Sequence, residues 1–270
     1  MKNRLPGLRY CGTLLVAAML LAVCTHATAQ ALDTFWPGLQ KTYFDGKKLE
    51  EVAFVRVSAP ESAASGEQVP FSFSIDHPMT ADHYIKSVSV IVDANPVPLT
   101  AVFHFNPDSG KAEISSRIRL ESDSLVHVVA EASDGRFYVN AVAVKASGGC
   151  GGMVPGYDPE VLAAAGKMKM ALDGPLKIGG VNRARLLIKH PMYTGLQRNM
   201  HTNGYRPALF INKIDITYNG KPVMLADTYI GISEDPHIQF GFVADKAGAL
   251  QVVLHDNEGA TFKETMEING

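Results

Sequence analysis

Apolar and polar residues alternate in short runs along most of this chain, and a period of two restricts such a sequence to β structure. In the run beginning at Ile85, the residues Ile85, Val88, Val90 and Val92 stand against Lys86, Ser87 and Ser89. Comparable runs are Val52–Ser58, Val69–Ile75, Ile85–Asp93, Leu99–Phe105, Ala112–Leu120, Ser124–Ser133 and Phe137–Lys145. Turn formers separate them, such as Asn95-Pro96, Asn106-Pro107-Asp108-Ser109-Gly110 and Ser133-Asp134-Gly135. A second series covers Lys167–Leu172, Ala184–Lys189, Ile211–Asn219, Pro222–Ile230, Ile238–Val243, Leu250–Asp256 and Thr261–Ile268, with a strong hairpin signal at Asn219-Gly220. Gln197–Pro207 is polar and reads as a long loop. Short strands at this spacing predict an all-β chain with an antiparallel β-sandwich in each half.

The first thirty residues read differently. Lys2, Arg4 and Arg9 make a basic start, Cys11 to Val23 is an apolar run, and Ala27-Thr28-Ala29 is a small-residue cleavage pattern. This is the order of a secretory signal peptide, and the apolar run is too short to span a bilayer. Val23 stands where a lipoprotein would carry a small residue before Cys24. The expectation is a periplasmic protein without a membrane span. Removing three basic residues from 25 leaves 22 against 27 acidic ones, a charge of about −5. Such a chain has no general attraction for nucleic acid.

Export makes the cysteine count informative. Cys11 and Cys24 leave with the signal, so Cys150 is the one thiol of the mature chain and has no internal partner. It lies in Ser147-Gly148-Gly149-Cys150-Gly151-Gly152. Gly148, Gly149, Gly151 and Gly152 predict a flexible, solvated arm, because ordering glycine carries the largest backbone entropy cost. No charged residue lies between Lys145 and Asp158, so a solvated thiol here is expected to titrate near the ordinary value of roughly 8.5. Its reactivity would then come from a partner's site. After Pro155, Gly156 and Tyr157, a short helix is expected, with Asp158 as N-cap, Pro159 at its first position and Gly166 as its stop.

The segment Val142–Gly152 resembles the carboxy-terminal arm of SoxY, the sulfur carrier of thiosulfate oxidation, and Val69-Pro70, Asp93-Ala94-Asn95-Pro96 and Asp134-Gly135 resemble its body. The second half resembles SoxZ through Ile188-Lys189-His190-Pro191-Met192-Tyr193-Thr194-Gly195 and Arg206-Pro207-Ala208-Leu209-Phe210-Ile211. The resemblance implies two immunoglobulin-like sandwiches joined by a Gly-rich segment. Its boundaries are a signal peptide at 1–30, a SoxY-like domain at 31–146, an arm and linker at 147–165 and a SoxZ-like domain at 166–270. It implies a non-enzymatic carrier with no cofactor of its own, holding a sulfur-containing substrate on Cys150. The implied partners are periplasmic redox enzymes, with a quinoprotein dehydrogenase or a cytochrome as candidates. It departs from SoxY in one respect: the arm there ends the chain, whereas here it joins two domains. The loop that returns to Pro155 is expected to remain uncut.

His190, Pro191, Met192 and Tyr193 are expected to shape a partner-docking loop. His77, His83, His104, His190, His201 and His237 show no metal-ligand spacing, and His77 and His83 read as turn residues despite Asp76 and Asp82. There is no nucleophile elbow, phosphate loop or dinucleotide fingerprint. Phe35 and Trp36 are expected to anchor the amino-terminal segment to a sandwich. The rival reading is a non-catalytic adaptor for a quinoprotein dehydrogenase, in which Cys150 serves only for disulfide dimerisation.

Overall fold

The computed structural model describes residues 34–156 and 158–269. The basic start, apolar run and cleavage pattern of the first thirty residues lie outside the described residues, as does Tyr157.

Helix α1 (Trp36–Phe44) leads into β1 (Leu49–Glu51), β2 (Val55–Ser58), β3 (Val69–Ile75), β4 (Ile85–Val92), β5 (Leu99–Phe105), β6 (Glu113–Ile118), β7 (Ser124–Ala132) and β8 (Phe137–Val144). The glycine segment and β9 (Met153–Val154) precede helix α2 (Pro159–Ala164). The second half contributes β10 (Met168–Leu172), β11 (Val181–Ile188), β12 (Arg198–Asn199), β13 (Ile211–Tyr218), β14 (Lys221–Thr228), β15 (His237–Val243), β16 (Gly248–Asp256) and β17 (Thr261–Ile268).

The alternation dictates which side chains face inward. Val69, Phe71, Phe73 and Ile75 of β3 are buried, as are Asn182, Ala184, Leu186 and Ile188 of β11, while Arg183 and Arg185 face out. Asn219 and Gly220 both adopt positive φ, at 49° and 77°, as the tight β13–β14 hairpin requires. Asp158 caps α2 by accepting from the amides of Glu160 and Val161. The chain is thus mostly β, built from immunoglobulin-like sandwiches.

The halves do not form separate sheets. One sheet runs β1-β8-β7-β4-β5-β14-β13-β16-β17 and the other β10-β11-β15-β6-β3-β2. Each crosses the junction by antiparallel pairing: β5 with β14, from Phe105 opposite Met224 to Ala101 opposite Thr228, and β6 with β15 through Ile114 and Phe240. The apolar faces close over one continuous core with residues from both halves. Phe73 of β3 meets Phe103 and Phe105 of β5 at ring separations of 5.7 and 6.3 Å. In the second half, Tyr218 meets Phe242 at 5.0 Å.

Trp36 anchors α1 as expected, lying flat over the His127 ring at 3.7 Å, with His127 paired to Asp93 at 2.9 Å. Phe35 does not share that role; its side chain is exposed. The expected loop Gln197–Pro207 contains β12, which pairs in parallel with β9.

Candidate carrier site

The glycine segment is threaded between two backbone stretches of the first half. Lys145 N–H donates to Glu61 O at 2.9 Å, and Gly66 N–H donates to Ser147 O at 2.8 Å. On the other side, Gly148 and Gly149 N–H donate to Glu121 O and Leu120 O, both at 3.0 Å. Glycine is required at 149 because of this approach: a Cβ there would lie 2.2 Å from Gly66 O and 2.5 Å from Leu120 O. Gly148 and Gly152 have open space but positive φ, at 73° and 102°. Gly151 has neither constraint, its nearest neighbour being Glu121 Oε1 at 3.6 Å.

Cys150 lies at the bottom of this path with 1% of its surface exposed. Its amide donates to Glu121 Oε2 at 2.7 Å, and the Gly151 amide donates to the same oxygen at 3.2 Å. From the second half, Thr194 Oγ1 donates to Cys150 O at 2.7 Å. Arg119, 3% exposed, joins the halves by donating from Nη1 to Gly149 O at 3.0 Å and from Nη2 to Met192 O at 3.3 Å. Beyond Cys150, Arg198 N–H donates to Gly152 O, Met200 N–H to Val154 O and Arg206 Nη1 to Gly156 O. The arm is therefore bonded to the body on both sides of the thiol.

This corrects the expectation of a solvated thiol on an unattached arm formed by Gly148, Gly149, Gly151 and Gly152. Burial, with the Glu121 carboxylate nearby, pushes the Cys150 thiol up to about 11, and Arg119 only partly opposes this. The sequence stretch between Lys145 and Asp158 is free of charge, but the fold brings Glu121 and Arg119 to it from the β6–β7 connection. Neither residue carries a local signal that would have marked it. They act only because the β6–β7 connection and the glycine arm come together.

His190, Pro191, Met192 and Tyr193 are all buried, which corrects their assignment to a partner-docking loop. The turn faces the arm of the same chain instead. His190 Nδ1 accepts from the Met192 amide at 3.2 Å, bridging a backbone in which Met192 has φ 45°. Burial depresses His190 to about 4, against weaker opposing effects of Asp256 and Asp235. The Arg206 guanidinium stacks 3.4 Å from the centre of the Tyr193 ring. His77 and His83 do meet, with ring centres 4.4 Å apart. Among the described residues, no group of three or more His, Cys, Asp or Glu side chains is placed to hold a metal ion. No helix among them is long and apolar enough to cross a membrane.

Residues 40–150 match the family model described as sulfur oxidation protein SoxY, and residues 172–267 match that of sulphur oxidation protein SoxZ. The sulfur carrier protein SoxY from Chlorobium limicola f thiosulfatophilum is a similar solved structure: 25% identity, TM-score 0.37, covering 44% of this chain and 97% of that one. A superoxide reductase (neelaredoxin) from Ignicoccus hospitalis is similar at 14% identity and a TM-score of 0.32, covering 34% of this chain and 80% of that one. No curated protein matches the chain. With a SoxY region ending at Cys150 and a SoxZ region following it, this chain belongs to the sulfur-oxidation carrier families as a fused SoxYZ-like protein.

Proposed function

We propose that this protein holds a sulfur-containing intermediate covalently on Cys150 and presents it to partner redox enzymes in the periplasm, without catalysing a reaction itself. The observation that carries the reading is the position of the thiol. It sits on a glycine-bracketed segment in the cleft between the SoxY and SoxZ regions, where both contribute hydrogen bonds to the arm backbone. Joining the thiol to a second sulfur that is also at the thiol level forms an S–S bond with loss of two protons and two electrons. A protein that carries its cargo this way needs a partner to accept those electrons, and a haem or quinone enzyme is of the right class.

The site's electrostatics fit a carrier that is inert until engaged. A thiol held near 11 is almost wholly protonated at neutral pH, and the thiolate is the nucleophile. Reaction therefore requires the arm to leave the cleft and enter a partner's site. The adaptor reading, with Cys150 used only to join two copies, is less well supported. Both thiols would have to leave their clefts, although the arm's bonds are made within one chain.

The test is intact-mass analysis of the protein purified from its own host. The carrier reading expects species heavier by whole sulfur or sulfur-plus-oxygen increments, mapped to Cys150 and removed by reductant. A uniformly bare thiol, or a disulfide dimer alone, overturns it. Fractionation of the same cells tests the periplasmic placement.

A further inference from the structure

The cleft holds Cys150 through contacts that are favourable to an uncharged thiol and unfavourable to a negative group on the same sulfur. Glu121 Oε2 accepts from the Cys150 and Gly151 amides, which fixes a carboxylate beside the residue whose sulfur is to be loaded. Arg119 is a cation that acts against it, but both its terminal nitrogens donate to backbone carbonyls, Gly149 O and Met192 O. Glu67 and Glu234 also act on Arg119, and so does Arg206. Burial is what most opposes an anion at the sulfur, the Glu121 carboxylate adds to it, and the Arg119 guanidinium offsets only part.

We propose that the cleft is a charge-sensing latch. It retains the arm while Cys150 carries an uncharged thiol and ejects it when the sulfur carries an anionic group, with Glu121 as the positioning residue that distinguishes the two. The proposal rests on the carrier reading and adds direction to it: the unloaded arm is stored, and an anionic load exposes itself to the next partner. Release needs no unfolding of the sandwiches, because the bonds lost belong to the segment from Gly148 to Gly152 and to Thr194 and Arg119 opposite it. Glu121 thereby serves two ends: its backbone carbonyl and carboxylate both hold the arm, and its charge sets what the arm is allowed to carry there.

The test uses the full chain and two adducts of nearly equal size. Methanethiosulfonate reagents place a 2-sulfonatoethyl or a 2-hydroxyethyl group on Cys150. The cysteine sulfur attacks the reagent's divalent sulfur, an S–S bond forms, methanesulfinate leaves with the bonding pair, and the thiol proton passes to solvent. Hydrogen–deuterium exchange over residues 148–152 then reports whether the Cys150 and Gly151 amides remain bonded. The latch expects exchange on the order of tenfold faster for the sulfonate adduct than for the hydroxyethyl adduct, which matches it in bulk and differs in charge. In Glu121→Gln the gap between the two adducts should shrink severalfold, because an amide oxygen still accepts a hydrogen bond but carries no charge, leaving burial alone to oppose the anion. Equal exchange of the two adducts in the unmutated chain overturns the proposal, as does a difference that is undiminished in Glu121→Gln. The comparison in the unmutated chain decides the matter even if the variant fails to fold. It also stands apart from the carrier reading, since the adducts are made chemically whatever the protein holds in its host.

Discussion

Cys150 combines a nucleophilic atom with surroundings that suppress its chemistry. A thiol pushed up to about 11, against an ordinary value of roughly 8.5, is at least about 100-fold less ionised near neutrality than a free one, before its occlusion is counted. Alkylation of the folded protein by iodoacetamide at pH 8 should therefore be at least about 100-fold slower than alkylation of the denatured chain. Comparable rates would show that the arm is out of the cleft for much of the time. The same burial changes the expected effect of Cys150→Ser. An exposed cysteine could be replaced at negligible cost, but a hydroxyl in this nearly closed site loses about 1–2 kcal/mol if it finds no partner, and denaturant unfolding measures that loss. The glycines separate along similar lines. Gly149→Ala cannot keep its distance from Gly66 O, so it should free the arm and raise Cys150 alkylation by tenfold or more on the scale of a lost local closure. Gly151→Ala should leave that rate within about twofold. If the two alanine variants react alike, the close approach at Gly149 is not what seats the arm.

The turn from His190 to Thr194 is the element that converts a pair of sandwiches into a cleft. Buried neutral histidine makes its integrity depend on pH. With the native group near 4 and the unfolded one near 6.5, the unfolded chain binds the extra proton between those values. Stability contributed by neutral His190 is therefore complete above about pH 6.5 and is lost progressively as pH falls to 4, by about 3 kcal/mol at the lower end. Thermal or urea unfolding from pH 7 to 4 should show this slope, and His190→Asn should flatten it; an unchanged slope would assign the acid sensitivity to other groups. On the far side of the thiol, the β9–β12 pair makes the return of the arm part of the body. With Ser147 and Met153 held, the three residues on each side of Cys150 allow an excursion of only about 10 Å. A partner must then accept a shallow loop, or the β9–β12 pair must open with the arm. We propose that the loop is uncut in the host; two fragments meeting near Gly152 on denaturing mass analysis would show instead that processing frees an arm.

At the scale of the whole molecule, the halves are joined by more than their linker. Without its counterpart, the first half would expose the edges of β5 and β6, and the second those of β14 and β15, together with the core surface beneath them. Unpaired apolar edges associate or aggregate. The two halves, expressed together from a gene interrupted at 155–158, should assemble one-to-one without a covalent link, and each expressed alone should be poorly soluble. Two stable, non-interacting monomers in sedimentation would contradict the shared-sheet architecture.

Much of the fold follows from local rules. The runs Val69–Ile75, Leu99–Phe105 and Thr261–Ile268 are strands at those bounds, because alternation fixes both the period and the buried face. Asp158 and Pro159 likewise start α2 through their own side-chain and backbone chemistry. The thiol between glycines is equally legible, since it is a matter of composition. What the sequence alone could not determine is where that thiol rests. Burial of Cys150 depends on Glu121, Arg119, Gly66 and Thr194, which are distant in sequence and ordinary in their local patterns. The pairings of β5 with β14 and β6 with β15 are long-range for the same reason: alternation determines which face of a strand is apolar, whereas its neighbour is selected only when edges, core volume and hydrogen bonds are satisfied together in three dimensions.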